Sequence, residues 1–427
     1  MSTLLYSARG PLRGELRPPG DKSISHRALL CAALAEGRSD IRNLLRSEDV
    51  DRSRRLVEAL GVTVAREAEL TIVISPGRDG LTAPEAVIDC GNSGTTMRLG
   101  TGLVAALPFV TRLTGDESLL RRPMRRIIEP LAEMGISVES RNGGLPPLAV
   151  HGGVPNGICY KLKIASAQVK SAILLAGLGA RSPVTVEEPV RCRDHTERLL
   201  ASLGAGIGRR GDFITMVPCR RLMPLHLTVP GDISSAAFFI CAAAIVPGSR
   251  LRLAGVGINP TRTGFIDVLR RMGAGITYEQ PRLMGGEPVA DLLVEYGPLR
   301  GVTVAAGEIP GFIDEVGLAA LAATQARGTT ILDGLAELRI KESDRLEAIR
   351  EVLESMGAMI EITRDDGLRI QGPVELRGAT LAVRGDHRMA MLGAVASLAA
   401  AGGCTIDDPE VVAVSYPNFF ADLAHLV

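Results

Sequence analysis

The sequence predicts an α/β protein of two domains, each built from three copies of a strand–helix–strand–helix–strand–strand unit. Three observations carry that expectation. Six clusters of Gly, Ser, Asn or Asp each precede an Ala-rich apolar run. Anchored at Asp21, Asn92, Ser166, Asp232, Asp314 and Asp386, they recur with a mean step of 73 residues. Between them, LVEALG, LAEMG, LLASLG, LRRMG and VLESMG read as amphipathic helices stopped at Gly61, Gly135, Gly204, Gly273 and Gly357. Most of these stops lead into a pair of short β-rich segments, such as VTVARE and LTIVIS or MIEITR and LRIQG.

The first copy opens with PGDKSISHRALLCAALAEG, residues 19–37, where Asp21, Lys22, Ser23, Ser25, His26 and Arg27 crowd the start of an apolar run. Its counterparts are CGNSGTTMRLGTGLVAAL from Cys90, IASAQVKSAILLAGL from Ile164, VPGDISSAAFFICAAAI from Val229, IPGFIDEVGLAALAA from Ile309 and RGDHRMAMLGAVASLAA from Arg384. A helix apolar nearly all round belongs inside a core. Three such helices wrapped by sheets make one domain, and six make two. Ser, Asp and Asn at the starts cap free N–H groups, at about 1 kcal/mol each. Capping accounts for Asp21, Ser23, Asn92, Ser166 and Asp232. It does not account for Lys22, Arg27, Lys170 or Arg388, because a cation opposes the dipole at a helix N-terminus. Cation, helix N-terminus and Ser/Gly backbone together form an anion-binding constellation, and N-termini directed to one place would make a strong anion trap.

The amphipathic helices begin with further charge: LLRRPMRR with Arg121 and Arg122, RCRDHTERL with Arg193 and Asp194, and RIKESDRLEAI with Lys341, Glu342, Asp344 and Arg345. The last packs alternating signs just before a helix, as a charge-balanced active-site loop would. GELRPPGDKS, residues 14–23, only mimics a phosphate-binding P-loop. Five residues separate Gly14 from Gly20, Asp21 precedes Lys22, and Pro18 and Pro19 remove amide donors.

Composition narrows the function classes. Lys plus Arg and Asp plus Glu number 48 each, which argues against a general nucleic-acid or acidic-membrane binder. Aromatic residues are 3% and Trp is absent, so base-stacking platforms are scarce. The seven cysteines form no C-x-x-C pair and are expected to be reduced, buried and structural, as in a cytoplasmic protein. The six histidines show no H-x-x-x-H pattern, so no zinc is expected. MSTLLYSARG lacks a charged segment leading into an apolar one, so no signal peptide is expected. The longest apolar run, Ala236 to Val246, falls short of the roughly 20 residues that span a bilayer.

PGDKSISHRALLCAALAEG, GNSGTTMR, SAQVKSA, RIKESDRL and GDHRMAM resemble the signature segments of the 5-enolpyruvylshikimate-3-phosphate synthase (3-phosphoshikimate 1-carboxyvinyltransferase) family, over residues 19–420. The resemblance implies two domains of three βαβαββ units, an inside-out α/β barrel arrangement hinged over a central active-site cleft. Residues 1–19 with 231–427 would form one domain and 20–230 the other, with crossovers near Gly20 and Pro230. It implies transfer of the enolpyruvyl group of phosphoenolpyruvate to the 5-hydroxyl of shikimate 3-phosphate, with no cofactor or metal. By similarity, Lys22, Ser23, Arg27, Ser166, the Ala167 backbone, Gln168, Arg193, Asp314 and Lys341 hold shikimate 3-phosphate. Lys22, Gly94, Arg122, Gln168, Arg345 and Arg388 hold phosphoenolpyruvate. Asp314, Glu342 and Lys22 carry the proton transfers. A monomer in the cytoplasm is the further expectation, without nucleic-acid or membrane partners.

The residue chemistry agrees with these roles. Two phosphates, each about −1.5 to −2, and two carboxylates face seven cations. Arginines suit bidentate capture of both groups. His387, between Asp386 and Arg388, either fixes the helix start or hydrogen-bonds an intermediate; His26 poses the same choice. Two positions depart from some family members: Val414 stands where they carry a lysine, and Arg193 where they use a tyrosine. Gly94 is expected to leave room for glyphosate. Two rivals are weighed. UDP-N-acetylglucosamine enolpyruvyl transferase uses a loop cysteine that TGDESLLRRPM lacks. A non-catalytic anion-binding module has no use for Asp314 and Glu342.

Overall fold

The computed structural model describes residues 3–6 and 10–427, so the stretch read above for a leader lies partly outside the described residues. The chain divides into two compact units. Unit 1 holds the segment up to Pro19, Pro230–Leu283 and Pro288–Val427; unit 2 holds Gly20–Val229 and Met284–Glu287. The short Met284–Glu287 piece is a turn between two long strands, and nothing in its local sequence separates it from unit 1.

Twelve helices are described, in chain order: α1 (Lys22–Leu34), α2 (Glu48–Ala59), α3 (Gly94–Val104), α4 (Arg125–Glu133), α5 (Ala167–Gly177), α6 (His195–Ser202), α7 (Ile233–Ile245), α8 (Gly264–Met272), α9 (Val316–Thr324), α10 (Arg345–Ser355), α11 (His387–Leu398) and α12 (Phe419–Leu426). The odd-numbered helices are the apolar runs. Every residue of α7, α9 and α11 is buried, and α1 is buried from Ile24 onward. Each unit therefore has its own core of three central helices, with sheets outside. Close approach needs small residues: a Cβ on Gly102 of α3 would lie 2.4 Å from the Ala172 carbonyl oxygen of α5. Ala-rich composition is thus a packing requirement of the helix crossings, not only a propensity. The glycine stops also form. Gly61, Gly135, Gly204, Gly273 and Gly357 take φ between 81° and 109°, where a side chain is strained.

Each four-stranded sheet repeats one topology: a parallel pair, then two antiparallel strands. In unit 2 the sheets are Ile88–Asp89, Val110–Thr114, Leu145–His151, Ser137–Arg141; and Cys159–Lys161, Val184–Glu187, Phe213–Met216, Ile207–Arg210. The third is Glu36–Arg42, Leu70–Pro76 and Thr63–Glu67, and its parallel strand, His226–Thr228, comes from the far end of the unit. In unit 1, Arg13–Leu16 pairs with Arg250–Gly257, so all of Gly20–Val229 is inserted between the first strand of that copy and α7.

Six complete copies were expected, and the sixth is incomplete. After Thr380–Leu381, α11 and Cys404–Asp407 the chain makes a 3-10 turn, Pro409–Val414, and then α12. The sheet has three strands, with Thr3–Tyr6 antiparallel to Cys404–Asp407 in the vacant place. The sequence carries only five glycine-stopped helices, consistent with this truncation. Two cap assignments are also corrected. Ser93, not Asn92, caps α3 by accepting from the Thr96 N–H, and Ser23 lies inside α1, whose cap is Asp21. The cysteines are all free, but Cys159 is exposed and Cys219 half-buried, contrary to the expectation of uniform burial. No described helix is long and apolar enough to cross a membrane.

Candidate active site

Unit 2 gathers polar groups at the N-termini of its three central helices. At α1, Asp21 accepts from the Ile24 N–H at 2.8 Å, and Lys22 Nζ pairs with Asp49 Oδ2 at 2.8 Å. One turn on, Arg27 is buried. Its Nε donates to Thr196 Oγ1 (2.8 Å), Nη1 to the Ser23 carbonyl (2.9 Å) and Nη2 to Ser171 Oγ (3.0 Å). All three acceptors are neutral, and Arg27 makes no ion pair among the described residues. Burial, and then the neighbouring Arg193 charge, push its pKa down to about 10, and the more distant Glu197 and Asp21 charges only partly offset them. A buried cation whose hydrogen-bond acceptors are all neutral is under-compensated, and an anion there is favoured. Arg193 Nη1 reaches Ser23 Oγ at 3.5 Å, which ties the α6 entry to the same place.

The α3 and α5 starts form the neighbouring group. Arg122 Nη2 donates to Asn92 Oδ1 at 2.6 Å. Arg98 Nη1 donates to Gln168 Oε1 at 2.8 Å, and Gln168 Nε2 donates to Thr95 Oγ1 at 3.0 Å. A Cβ on Gly94 would stand 2.8 Å from Arg98 Nη1 and 3.3 Å from Arg122 Nη1. Ser166 caps α5, where Ala167 is the first helical residue. Lys22, Ser23, Arg27, Gly94, Arg122, Ser166, Ala167, Gln168 and Arg193 are thus held at the three central helix starts and the segments packed on them. Lys170 is different. It is fully buried, pairing with Glu188 Oε1 at 2.6 Å and Glu197 Oε1 at 2.7 Å. This cation at a helix start is neutralised from within, so it is a core ion cluster and not part of an anion trap.

Unit 1 holds the carboxylates. Asp314 lies in a 3-10 turn, Ile313–Glu315, before α9; Glu315 rather than Asp314 stands at the helix cap and makes no side-chain cap bond. Asp314 Oδ1 lies 3.8 Å from Lys341 Nζ and 3.6 Å from Arg345 Nη1, and Oδ2 lies 3.8 Å from Arg388 Nη2. Arg388 Nη1 also donates to the Asp314 carbonyl at 3.1 Å. Arg345 Nη2 bonds Glu342, and Arg345 Nε donates to Asp386 Oδ2 at 2.9 Å. Burial opposes the Arg345 charge, but Asp386, Glu342 and Asp314 outweigh it and raise the pKa. Asp386 is lowered in turn: burial acts against it, and Arg345 overcomes that. His387 is buried at the start of α11 beside this group. The arrangement sets Asp314, Glu342 and the buried Asp386 among three cations, and the first two are suited to proton transfer next to a bound anion.

Sequence reasoning missed Arg98, Asp49, Thr196 and Ser171. Arg98 carried a signal, being the one charged residue of an otherwise uncharged helical run. Asp49, Thr196 and Ser171 carried none, since each matters only through a partner far along the chain. Among the described residues, no group of three or more His, Cys, Asp or Glu could hold a metal ion.

The family model of EPSP synthase (3-phosphoshikimate 1-carboxyvinyltransferase) matches residues 6–423. The chain is 50% identical over 421 residues to a 3-phosphoshikimate 1-carboxyvinyltransferase from Anaeromyxobacter sp. (strain Fw109-5), covering 98% of this chain and 97% of that one. It is 48% identical over 418 residues to one from Syntrophomonas wolfei subsp. wolfei, covering 97% of each. The structure of an EPSP synthase from Acinetobacter baumannii superposes with a TM-score of 0.88 at 40% identity, covering 100% of this chain and 98% of that one. Signature segments, repeat fold and full-length similarity agree, and the chain belongs to the EPSP synthase family of transferases.

Proposed function

We propose that this chain transfers the 1-carboxyvinyl group of phosphoenolpyruvate to the 5-hydroxyl of shikimate 3-phosphate and releases phosphate, the family's step toward chorismate and the aromatic amino acids. The observation that carries the mechanism is Asp314 facing Lys341, Arg345 and Arg388 at 3.6–3.8 Å. In the addition step the hydroxyl oxygen bonds C2 of phosphoenolpyruvate, Asp314 takes the hydroxyl proton, and Glu342 protonates the methylene carbon. In the elimination step Glu342 removes a proton from that methyl group, the C2–O bond to phosphate breaks, and Lys22 protonates the leaving phosphate. Lys22, Ser23, Arg27, Ser166, Ala167, Gln168, Arg193, Asp314 and Lys341 hold shikimate 3-phosphate. Lys22, Gly94, Arg122, Gln168, Arg345 and Arg388 hold phosphoenolpyruvate. The under-compensated Arg27 supports the first set, and the guanidinium groups beside Gly94 support the second. The free cysteines support a reducing, cytoplasmic setting.

The test follows phosphate release from phosphoenolpyruvate, with shikimate 3-phosphate as acceptor and UDP-N-acetylglucosamine in parallel. Release with the first alone is expected. Release with neither, from folded protein, would overturn the assignment.

A further inference from the structure

The loop that carries Lys341 and Glu342 has no regular structure between a 3-10 turn, Ala336–Ile340, and α10. Its two ends are gripped by one side chain. Arg339 Nε and Nη2 donate to Asp366 Oδ1 at 2.9 and 2.7 Å, while Nη1 donates to Asp344 Oδ2 at 2.9 Å. Each partner is itself fixed. Asp344 caps α10 with its other oxygen, which accepts from the Glu347 N–H at 3.2 Å. Asp366 sits in the hairpin turn between Met359–Ile362 and Leu368–Gly372 with φ of 53°, and its carbonyl accepts from the Leu335 N–H at 2.9 Å. The guanidinium therefore bolts a sheet turn to a helix cap, and residues 340–343 run from Arg339 to its partner Asp344, with Ser343 Oγ also donating to Asp386 Oδ2 at 3.1 Å. A half-exposed ion pair contributes little to global stability. A planar group with two N–H donors on one carboxylate oxygen and a third on a second carboxylate instead fixes geometry, which a single ammonium cannot reproduce.

We propose that Arg339 is a positioning residue for this reaction: it touches no substrate, and it sets the placement of Lys341 and Glu342. The inference rests on the roles proposed above for those two residues. Arg345 is held by Asp386 whether or not the clamp is present, and it meets the loop through its bond to Glu342, so loss of the clamp acts first on Lys341 and Glu342. A displacement of about 1 Å in a catalytic group costs up to roughly a hundredfold in rate. Arg339→Gln is therefore expected to lower kcat by about ten- to a hundredfold and to raise KM for shikimate 3-phosphate several-fold. KM for phosphoenolpyruvate stays within about twofold, and Arg339→Lys recovers only part of the loss. A second readout needs no turnover. The chain has no Trp, so Ile340→Trp places a single tryptophan, excited selectively over the five tyrosines, beside the clamp. Iodide quenching of that Trp is expected to rise at least about twofold when Arg339→Gln is added.

Unchanged kcat and quenching in Arg339→Gln, with a normally active parent, would overturn the inference alone. Equal rises in both KM values with a matching fall in Tm would also overturn it, as general loosening. An inactive parent protein would instead remove the proposed function, and the quenching arm would still report on the clamp.

Discussion

His26 lies in α1 with no solvent exposure, and its Nδ1 is 2.8 Å from Ser53 Oγ, which is 2.8 Å from Thr96 Oγ1. Burial pushes its pKa down to about 3; Lys22 and Arg27 push the same way, while Asp49 and Asp21 oppose them. The unfolded chain returns it to about 6.5. The folded state therefore favours the neutral ring. Its contribution is complete above pH 6.5 and is lost as pH falls toward 3. At about 1.36 kcal/mol per pH unit, the loss reaches about 0.8 kcal/mol at pH 6 and about 2 kcal/mol at pH 5. His26→Gln keeps a hydrogen-bonding partner for Ser53 and cannot ionise. The variant is expected to be less stable than the parent at pH 8, with the gap closing by about 2 kcal/mol at pH 5. The measurement is urea unfolding followed by far-UV circular dichroism, both proteins side by side across that range. Parallel pH profiles, with a constant gap, would refute the reasoning and place a proton or a solvent path at His26.

The other expectations concern the site and its support. Gly94→Ala drives a methyl toward Arg98 and Arg122, at 2.8 and 3.3 Å from their Nη1 atoms, so steady-state kinetics should show KM for phosphoenolpyruvate raised by about tenfold and KM for shikimate 3-phosphate little changed. Glyphosate inhibition of the same variant should weaken by a larger factor than that KM rises. Asp314→Asn and Glu342→Gln should each cut kcat by roughly 10²–10⁴ while calorimetric substrate affinities stay within a few-fold. Lys170→Met leaves Glu188 and Glu197 without their shared ammonium, and chemical unfolding should show a loss of about 3–5 kcal/mol.

The repeat, its six apolar helices and its five glycine stops were legible in the sequence, because each depends on residues within one or two helical turns of one another. An apolar run such as ISSAAFFICAAAI cannot face water wherever it lies, and the glycine after LRRM can take the left-handed conformation in any context. The candidate site residues were legible for a related reason: cations and Ser/Gly clusters at apolar helix starts are locally unfavourable and so stand out. What stayed hidden depended on distant partners. Lys170 and Arg27 look alike in sequence, each a cation early in a buried helix. Only the fold pairs Lys170 directly with two glutamates and leaves Arg27 hydrogen-bonded to neutral oxygens. Likewise the fold, not the repeat, sends His226–Thr228 back to complete the first sheet and Thr3–Tyr6 to complete the last. Periodicity and propensity are short-range and are written in contiguous residues. Charge compensation and sheet closure depend on which distant groups meet in space, and that is decided only when the chain is packed.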